Sequence, residues 1–161
     1  MQTDRHIIQA RNQDLIVTPR LEKHTDTLIF LHGLGDSANG WIDLFLSPQS
    51  PCPNSTKVVL LTAPTAPVTA NGGYPMPSWY DIKKFGGRAP DELEKTIGKD
   101  EVISNGDRIR KVLDDEIEIL KGESKNVIIG GFSQGCAMSM HTGLEYNKSL
   151  RGIMGWSGYL F

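Results

Sequence analysis

The 161-residue chain is 39% hydrophobic and 22% charged, with a formal net charge of -2 at pH 7. These values are typical of a soluble globular protein, and we predict a single domain over residues 1–161. The basic residues are scattered rather than clustered, which argues against a nucleic-acid partner, and no apolar run approaches the roughly 20 residues that cross a bilayer.

Six β-strands are predicted from short apolar runs separated by turn residues. They cover residues 6–9, 15–19, 27–31, 57–62, 126–130 and 152–156. The first two runs are short and partly polar, which indicates an edge hairpin. The third, fourth and fifth are apolar at consecutive positions, as expected for central strands of a parallel sheet that is covered on both faces.

Helices are predicted between these strands. The clearest covers 101–120, where Val102, Ile109 and Leu113 belong to an apolar stripe that recurs every three or four residues. Shorter helices are predicted over 40–46 and 134–146. The alternation of strands and helices predicts a mostly parallel α/β sheet with helices on both faces. Two remaining stretches, 63–84 and 85–98, are rich in Pro, Gly or polar residues and are predicted to be long surface loops.

The sharpest functional signal is the sequence Gly131-Phe132-Ser133-Gln134-Gly135, between a predicted strand and a predicted helix. A tight strand-to-helix turn of this kind holds a nucleophilic serine in strained backbone geometry, and the two glycines let strand and helix approach each other closely. The pattern predicts Ser133 as the nucleophile. An ordinary serine in a Gly-rich turn is the simpler alternative.

A second motif, Leu31-His32-Gly33-Leu34-Gly35-Asp36, directly follows the third predicted strand. An enzyme that transfers acyl groups must stabilise a developing oxyanion with preorganised N–H groups, one from the residue after the nucleophile and one from a loop in this position. We therefore predict that the backbone N–H groups of Leu34 and Gln134 form an oxyanion hole.

Two histidines near these motifs are not expected to be catalytic. His32 precedes Ser133, whereas a histidine base follows the serine in hydrolases built around such a turn, so His32 is predicted to hydrogen-bond to the loop backbone. His141 lies two helical turns beyond Ser133, about 12 Å along the axis, and is predicted to point away from the hydroxyl. Glu145 is excluded by the same geometry.

The stretch Met76-Pro77-Ser78-Trp79-Tyr80-Asp81 carries an aromatic pair. It could line an acyl-binding site, with Trp79 as a substrate-binding residue. A packed loop aromatic is the alternative that the residues leave open.

Four motifs in this order resemble the family of acyl-protein thioesterases and lysophospholipases, which are carboxylesterases of the α/β-hydrolase fold. The motifs are Phe30-Leu31-His32-Gly33-Leu34-Gly35-Asp36 with Gly40-Trp41, Ala63-Pro64 with Pro67-Val68, Met76-Pro77-Ser78-Trp79-Tyr80-Asp81-Ile82, and Gly130-Gly131-Phe132-Ser133-Gln134-Gly135. The resemblance implies a cytosolic hydrolase of acyl esters or thioesters that needs no cofactor and acts on S-palmitoylated proteins or lysophospholipids. It aligns Ser133 with the nucleophile, Leu34 and Gln134 with the oxyanion-hole donors, and Trp79 with a substrate-side loop.

The chain departs from this family pattern in two ways. Cys136 occupies a position where a second glycine is common. More seriously, no aspartate follows Ser133, and the last strands, which would deliver the triad Asp and His, are not found. A serine without a base is a weak nucleophile, so we expect the 161-residue chain alone to be nearly inactive.

The sequence is also compatible with two other functions. The chain could be a non-catalytic structural or interaction module, with a protein partner covering the apolar sheet edge that runs to Tyr159-Leu160-Phe161. It could also bind a lipid without hydrolysing it, if residues 63–84 enclosed an apolar pocket.

The cysteines and the N-terminus bear on location. Cys52 and Cys136 lie in unrelated contexts, with no metal-ligand spacing to any histidine. We predict free thiols, Cys136 as a small buried residue, and no metal site. The first residues lack the features of a secretion signal, which favours a cytoplasmic protein.

Overall fold

The computed structural model describes residues 5–9, 13–19, 23–86 and 95–160. Within these ranges a six-stranded sheet is formed by Arg5–Gln9 (β1), Leu15–Pro19 (β2), Asp26–Leu31 (β3), Thr56–Leu61 (β4), Val127–Phe132 (β7) and Gly152–Trp156 (β8). A separate hairpin consists of Thr65–Val68 (β5) and Tyr74–Pro77 (β6). The helices are Ile42–Leu46 (α1), Lys99–Ile119 (α2) and Gln134–Leu144 (α3).

The order of the main sheet is β1-β2-β4-β3-β7-β8. β4, β3, β7 and β8 are parallel, whereas β1 and β2 form an antiparallel hairpin at one edge. The six predicted strands and the edge hairpin are therefore confirmed. The α/β class with a mostly parallel sheet is confirmed as well.

The sheet is covered on both faces because the side chains of its central strands alternate between two cores. Leu28 and Phe30 of β3 pack with Phe45 of α1 on one face. Ile29 and Leu31 pack on the other face in the core that contains Leu113 of α2. A strand buried on both faces needs apolar residues at successive positions, which is the pattern that the sequence shows.

The stretch 63–84 is not a surface loop, as predicted, but contains the hairpin of β5 and β6. Its strands pair with each other in the register Pro67↔Pro75, and the chain reverses through Gly72 and Gly73, whose φ values are 66° and 78°. Prolines lack the N–H that would join a larger sheet, so this ribbon remains two-stranded. Residues 87–94 of the other predicted loop lie outside the described ranges.

Candidate active site

Ser133 lies where β7 ends and α3 begins, with φ 52° and ψ -116°. Positive φ is rare for residues other than glycine, and this ψ lies outside the left-handed helical region as well. Two backbone hydrogen bonds hold the conformation: Ser133 N–H donates to Trp156 O (2.9 Å), and Ala137 N–H donates to Ser133 O (3.2 Å). The predicted placement of Ser133 at a strained turn is confirmed.

The glycines around Ser133 are required by close backbone contacts. A Cβ at Gly131 would come within 2.8 Å of the Leu31 carbonyl oxygen, and a Cβ at Gly135 would collide with the carbonyl oxygens of Leu31 and His32. A Cβ at Gly33 would lie 3.4 Å from the Cβ of Ser133. The turn at Ser133 therefore packs directly against the loop that follows β3.

Leu34, Ser133 and Gln134 line one cavity of about 400 Å³. Neither Leu34 N–H nor Gln134 N–H donates a hydrogen bond to any residue in the described ranges. Gln134 is the first residue of α3, and the first N–H groups of a helix have no partner within it. Two backbone donors are thus available beside Ser133, as the oxyanion-hole prediction requires, although their convergence on one atom stays a prediction.

The rest of the cavity wall is largely apolar. The residues that complete it are Ile82, Lys84, Phe85, Gly86, Thr96, Ile97 and Tyr159. The main chain joins two sides of this wall, because Ile82 and Ile97 form an antiparallel bridge and Lys83 N–H donates to Thr96 O (2.7 Å). Apolar walls with a few polar groups are typical of cavities that bind small molecules.

His32 has both ring nitrogens engaged with the backbone. Nδ1–H donates to Gly33 O (2.6 Å), and Nε2 accepts from Ala63 N–H (2.9 Å). Burial lowers the pKa of His32, while its hydrogen bond to Gly33 acts in the opposite direction. A neutral imidazole with both nitrogens occupied cannot accept the proton of Ser133, and the predicted structural role is confirmed.

No side chain in the described ranges forms a hydrogen bond with Ser133 Oγ. His141 lies on α3, where its Nε2 is 3.4 Å from a carboxylate oxygen of Glu145. His141 lies two turns along α3 and Glu145 directly follows the helix, which agrees with their exclusion as the base.

Trp79 is not where the substrate-binding prediction puts it. The side chain is fully buried and does not line the cavity at Ser133. Its indole Nε1–H donates to His32 O (2.9 Å), and its ring centroid lies 5.4 Å from that of His32. The alternative reading, a packed aromatic, describes Trp79 better than direct contact with substrate.

The side chain of Gln134 is a feature that sequence reasoning missed. It is buried, and its Oε1 accepts from Trp79 N–H (2.9 Å) while its Nε2 donates to Tyr80 O (2.8 Å) and Ser78 Oγ (3.1 Å). Nothing in the local sequence shows that a glutamine after the serine must bind a loop some 55 residues earlier. Its N–H alone could be inferred from the motif.

Tyr80 and Tyr159 form a second contact that the sequence does not reveal. Their hydroxyl oxygens are 2.6 Å apart, and Tyr159 reaches the cavity while Tyr80 is fully buried. Burial raises the pKa of both phenols, so both stay protonated.

The structure places Cys136 in the core and Cys52 half-buried, and neither is in a disulfide bond. Within the described ranges, no group of three or more His, Cys, Asp or Glu residues could hold a metal ion. None of the helices there combines the length and apolar composition needed to cross a membrane.

Comparison with known proteins gives consistent similarities. The sequence pattern of the phospholipase/carboxylesterase family matches residues 12–161. Acyl-protein thioesterase 1 of Schizosaccharomyces pombe is 40% identical over 151 residues, which cover 94% of this chain and 63% of that protein. Acyl-protein thioesterase 1 homolog 1 of Dictyostelium discoideum is 37% identical over 145 residues, covering 89% of this chain and 62% of that protein.

The fold is similar to solved structures as well. The crystal structure of Zea mays acyl-protein thioesterase 2 superposes with a TM-score of 0.69 at 27% identity, covering 91% of this chain and 62% of that one. The chain thus spans a little over three fifths of the relatives that it matches. With its parallel sheet, its strained serine turn and these matches, the chain belongs to the phospholipase/carboxylesterase family of the α/β-hydrolase fold.

Proposed function

We propose that Ser133 is the nucleophile of an enzyme that hydrolyses acyl esters or thioesters through an acyl-enzyme. The observation that carries the proposal is the cavity that Ser133 lines together with Leu34 and Gln134. Ser133 has a strained backbone, and the N–H groups of Leu34 and Gln134 have no acceptor among the described residues. Hydrolysis of either bond needs a nucleophile and fixed donors for the oxyanion, and these groups supply both.

The reaction would proceed in two steps. Ser133 Oγ attacks the carbonyl carbon as its proton passes to a base, and the Leu34 and Gln134 N–H groups stabilise the negative oxygen of the tetrahedral intermediate. The intermediate collapses with loss of a protonated thiol or alcohol, and water then hydrolyses the Ser133 ester by the same sequence. No described side chain hydrogen-bonds to Ser133 Oγ, and the undescribed residues of this sequence include no histidine. The base would therefore be a histidine that is not among these 161 residues.

The substrate class follows from the cavity wall. The apolar side chains of Ile82, Phe85 and Ile97 suit a fatty acyl chain. The names of the relatives support an S-acylated protein as substrate, and the family's description supports a lysophospholipid as a second one. A cytoplasmic location would agree with two cysteines that form no disulfide bond.

The test compares the 161-residue chain with its Ser133→Ala variant on a palmitoylated cysteine peptide, a butyryl thioester and a lysophospholipid. Loss of the base in triad enzymes costs on the order of 10⁴ to 10⁶ in rate, so hydrolysis should be slow but above background. Ser133→Ala should remove that residual rate. Equal rates for both proteins on every substrate would contradict the proposal.

A protein partner that covers the edge of the sheet at β8 is a separate proposal. Among the described strands β8 pairs only with β7, and Leu160 beyond it is 52% exposed. An unpaired edge with apolar neighbours invites association with another chain. Phe161, which the sequence places at this edge, lies outside the described residues.

A further inference from the structure

A chain of buried hydrogen bonds joins Gln134 to the loop that carries Leu34, and it passes through Trp79. The two proposed oxyanion donors come from segments about a hundred residues apart in sequence. Their relative position therefore depends on contacts between those segments. The described contacts show which residues make the connection.

The first link is formed by two buried side-chain amides, which hydrogen-bond to the main chain of Trp79. Gln134 Oε1 accepts from Trp79 N–H (2.9 Å), and Asn105 Nδ2 donates to Trp79 O (2.7 Å). Gln134 and Asn105 are 2% and 7% exposed, so both bonds form away from water, where a missing partner is costly. Trp79 is thus fixed to α2 and α3 by its own backbone.

The second link is made by the side chain of Trp79. Its indole N–H donates to His32 O, and its ring packs beside the imidazole. Because the indole is fully buried, water cannot replace His32 O as the acceptor of its N–H. The position of His32 therefore depends on Trp79.

The third link sets the direction of the Leu34 N–H. His32 Nδ1–H donates to the carbonyl oxygen of Gly33 (2.6 Å), which belongs to the same peptide group as the nitrogen of Leu34. Asp36 N–H donates to the same oxygen over a longer distance (3.2 Å). In a planar trans peptide the N–H points away from the C=O, so fixing the Gly33 carbonyl toward His32 aims the Leu34 N–H in the opposite direction. Gly35 N–H donates to Pro77 O (2.8 Å) and fixes the next peptide group.

We propose that Trp79 is a positioning residue that aims the Leu34 N–H at the oxyanion through His32. This inference rests on the oxyanion role proposed above. It replaces direct substrate contact as the function of Trp79. It also gives the buried Gln134 side chain a purpose, since one residue would supply a backbone donor and hold the residue that directs the other.

The test uses butylboronic acid on the 15N-labelled 161-residue chain. Boron forms a reversible bond with Ser133 Oγ, and the serine proton is released to solvent. The tetrahedral boronate anion places one of its hydroxyl oxygens where the oxyanion would lie. Trp79→Phe keeps an aromatic ring but removes the N–H that binds His32 O. Removal of one oxyanion donor costs about 10² to 10³ in rate, and misdirecting it should weaken boronate binding by about tenfold.

Phe45→Leu is the matched control. Phe45 is equally buried but packs in the core on the other face of the sheet. Its truncation therefore lowers stability without changing the hydrogen bonds that connect Gln134 to the loop of Leu34. We expect the control to keep wild-type boronate affinity despite a lower melting temperature. In Trp79→Phe the amide signal of Leu34 should also shift less on boronate binding than in the wild type.

The outcomes separate the two proposals. If the wild type forms the Ser133 adduct and Trp79→Phe binds equally well with the same Leu34 shift, the positioning role is wrong and the proposed function stands. If the wild type forms no adduct, the proposed oxyanion hole and this inference both fail. Should Trp79→Phe not fold, Gln134→Met decides, because it keeps the backbone N–H and removes the amide that holds Trp79.

Discussion

At the scale of single residues, the site combines a strained serine with a histidine whose role is structural. The conformation of Ser133 costs on the order of 1–3 kcal/mol and persists because the surrounding backbone fixes it. His32 lies in the loop that follows β3, and burial lowers its pKa so that it is neutral near pH 7. The same contacts that suit His32 for aiming a peptide group make it unsuited to accept a proton.

The stability of the chain should therefore fall as the pH drops below about 6.5. Burial lowers the folded-state pKa of His32 and of His24 below their ordinary value of 6.5, and the charge of Lys57 lowers that of His24 further. Between the folded and unfolded pKa values the unfolded chain binds more protons, so acid favours unfolding there. We predict a lower free energy of unfolding at pH 5.5 than at pH 7.5, measured by urea denaturation.

His32→Asn isolates the contribution of one histidine. The asparagine amide can still donate to Gly33 O but leaves Ala63 N–H without the Nε2 acceptor, so the variant should be less stable at pH 7.5. Because asparagine does not titrate, the stability of the variant should also depend less on pH. The double variant with His24→Asn should lose most of the remaining dependence. If the free energy of unfolding of His32→Asn depends on pH as strongly as that of the wild type, His32 does not cause the pH dependence.

At the scale of elements, the sequence was sufficient wherever a local pattern decides the structure. The apolar runs predicted the six strands of the sheet. The 3–4 periodicity predicted 101–120, close to the observed α2. The glycines beside Ser133 predicted the strained turn, because each of them makes a contact that only glycine allows.

What the sequence did not predict depends on contacts between distant residues. The hairpin of β5 and β6 was missed because its strands contain proline, which is depleted in sheets. The sequence around Gln134 does not indicate that its side chain binds residues 78–80. The burial of Trp79 depends on helices that are distant in sequence and pack over it. Glu116 is charged but buried on α2, where the periodic pattern alone would place an apolar residue.

Glu116 shows how α2 is fixed to the sheet. Its Oε1 binds Lys57 Nζ of β4 at 2.5 Å, and its Oε2 accepts from Thr27 Oγ1 of β3 at 3.0 Å. The charged side chains are only 11% and 6% exposed. Removing one member of a buried pair leaves the other charge without compensation, so we predict that Lys57→Met lowers the free energy of unfolding by about 3–5 kcal/mol.

Urea denaturation checks this prediction against a surface pair on the same helix. Lys111 and Asp115 of α2 are mostly exposed, and Lys111→Met should change stability by less than about 1 kcal/mol. The double variant Lys57→Met with Glu116→Gln should be more stable than Lys57→Met alone, because the buried charge is gone. If Lys57→Met costs no more than Lys111→Met, the pair does not fix the helix.

At the scale of the whole molecule, the described sheet has two unlike edges. One edge is the β1–β2 hairpin, and the other is the parallel strand β8, which pairs only with β7 among the described strands. The relatives of this protein are longer, because the chain covers only 63% of the Schizosaccharomyces pombe protein. Parallel strands are normally buried inside sheets, so β8 is the edge where association is expected.

We predict that the 161-residue chain associates in a concentration-dependent manner through β8. Sedimentation velocity at several concentrations measures this directly. Gly152→Lys places a charge on the edge at a position with open space around it, and charged edge residues oppose strand pairing. The variant should sediment as a monomer, with Gly152→Ala as its uncharged control. A wild-type monomer at all concentrations would contradict the prediction.

Mass spectrometry after incubation with p-nitrophenyl butyrate shows whether Ser133 forms an acyl-enzyme. If the 161-residue chain has no base, as we expect, the activated leaving group still allows slow attack by Ser133. The missing base would also slow hydrolysis of the Ser133 ester, so the acyl-enzyme should accumulate. A Cys52→Ser background removes the half-buried thiol as a competing nucleophile. We predict one butyryl group per chain, mapped to the peptide that contains Ser133 and absent from Ser133→Ala. Butyrylation of lysines alone, equal in both proteins, would show that Ser133 is not the nucleophile.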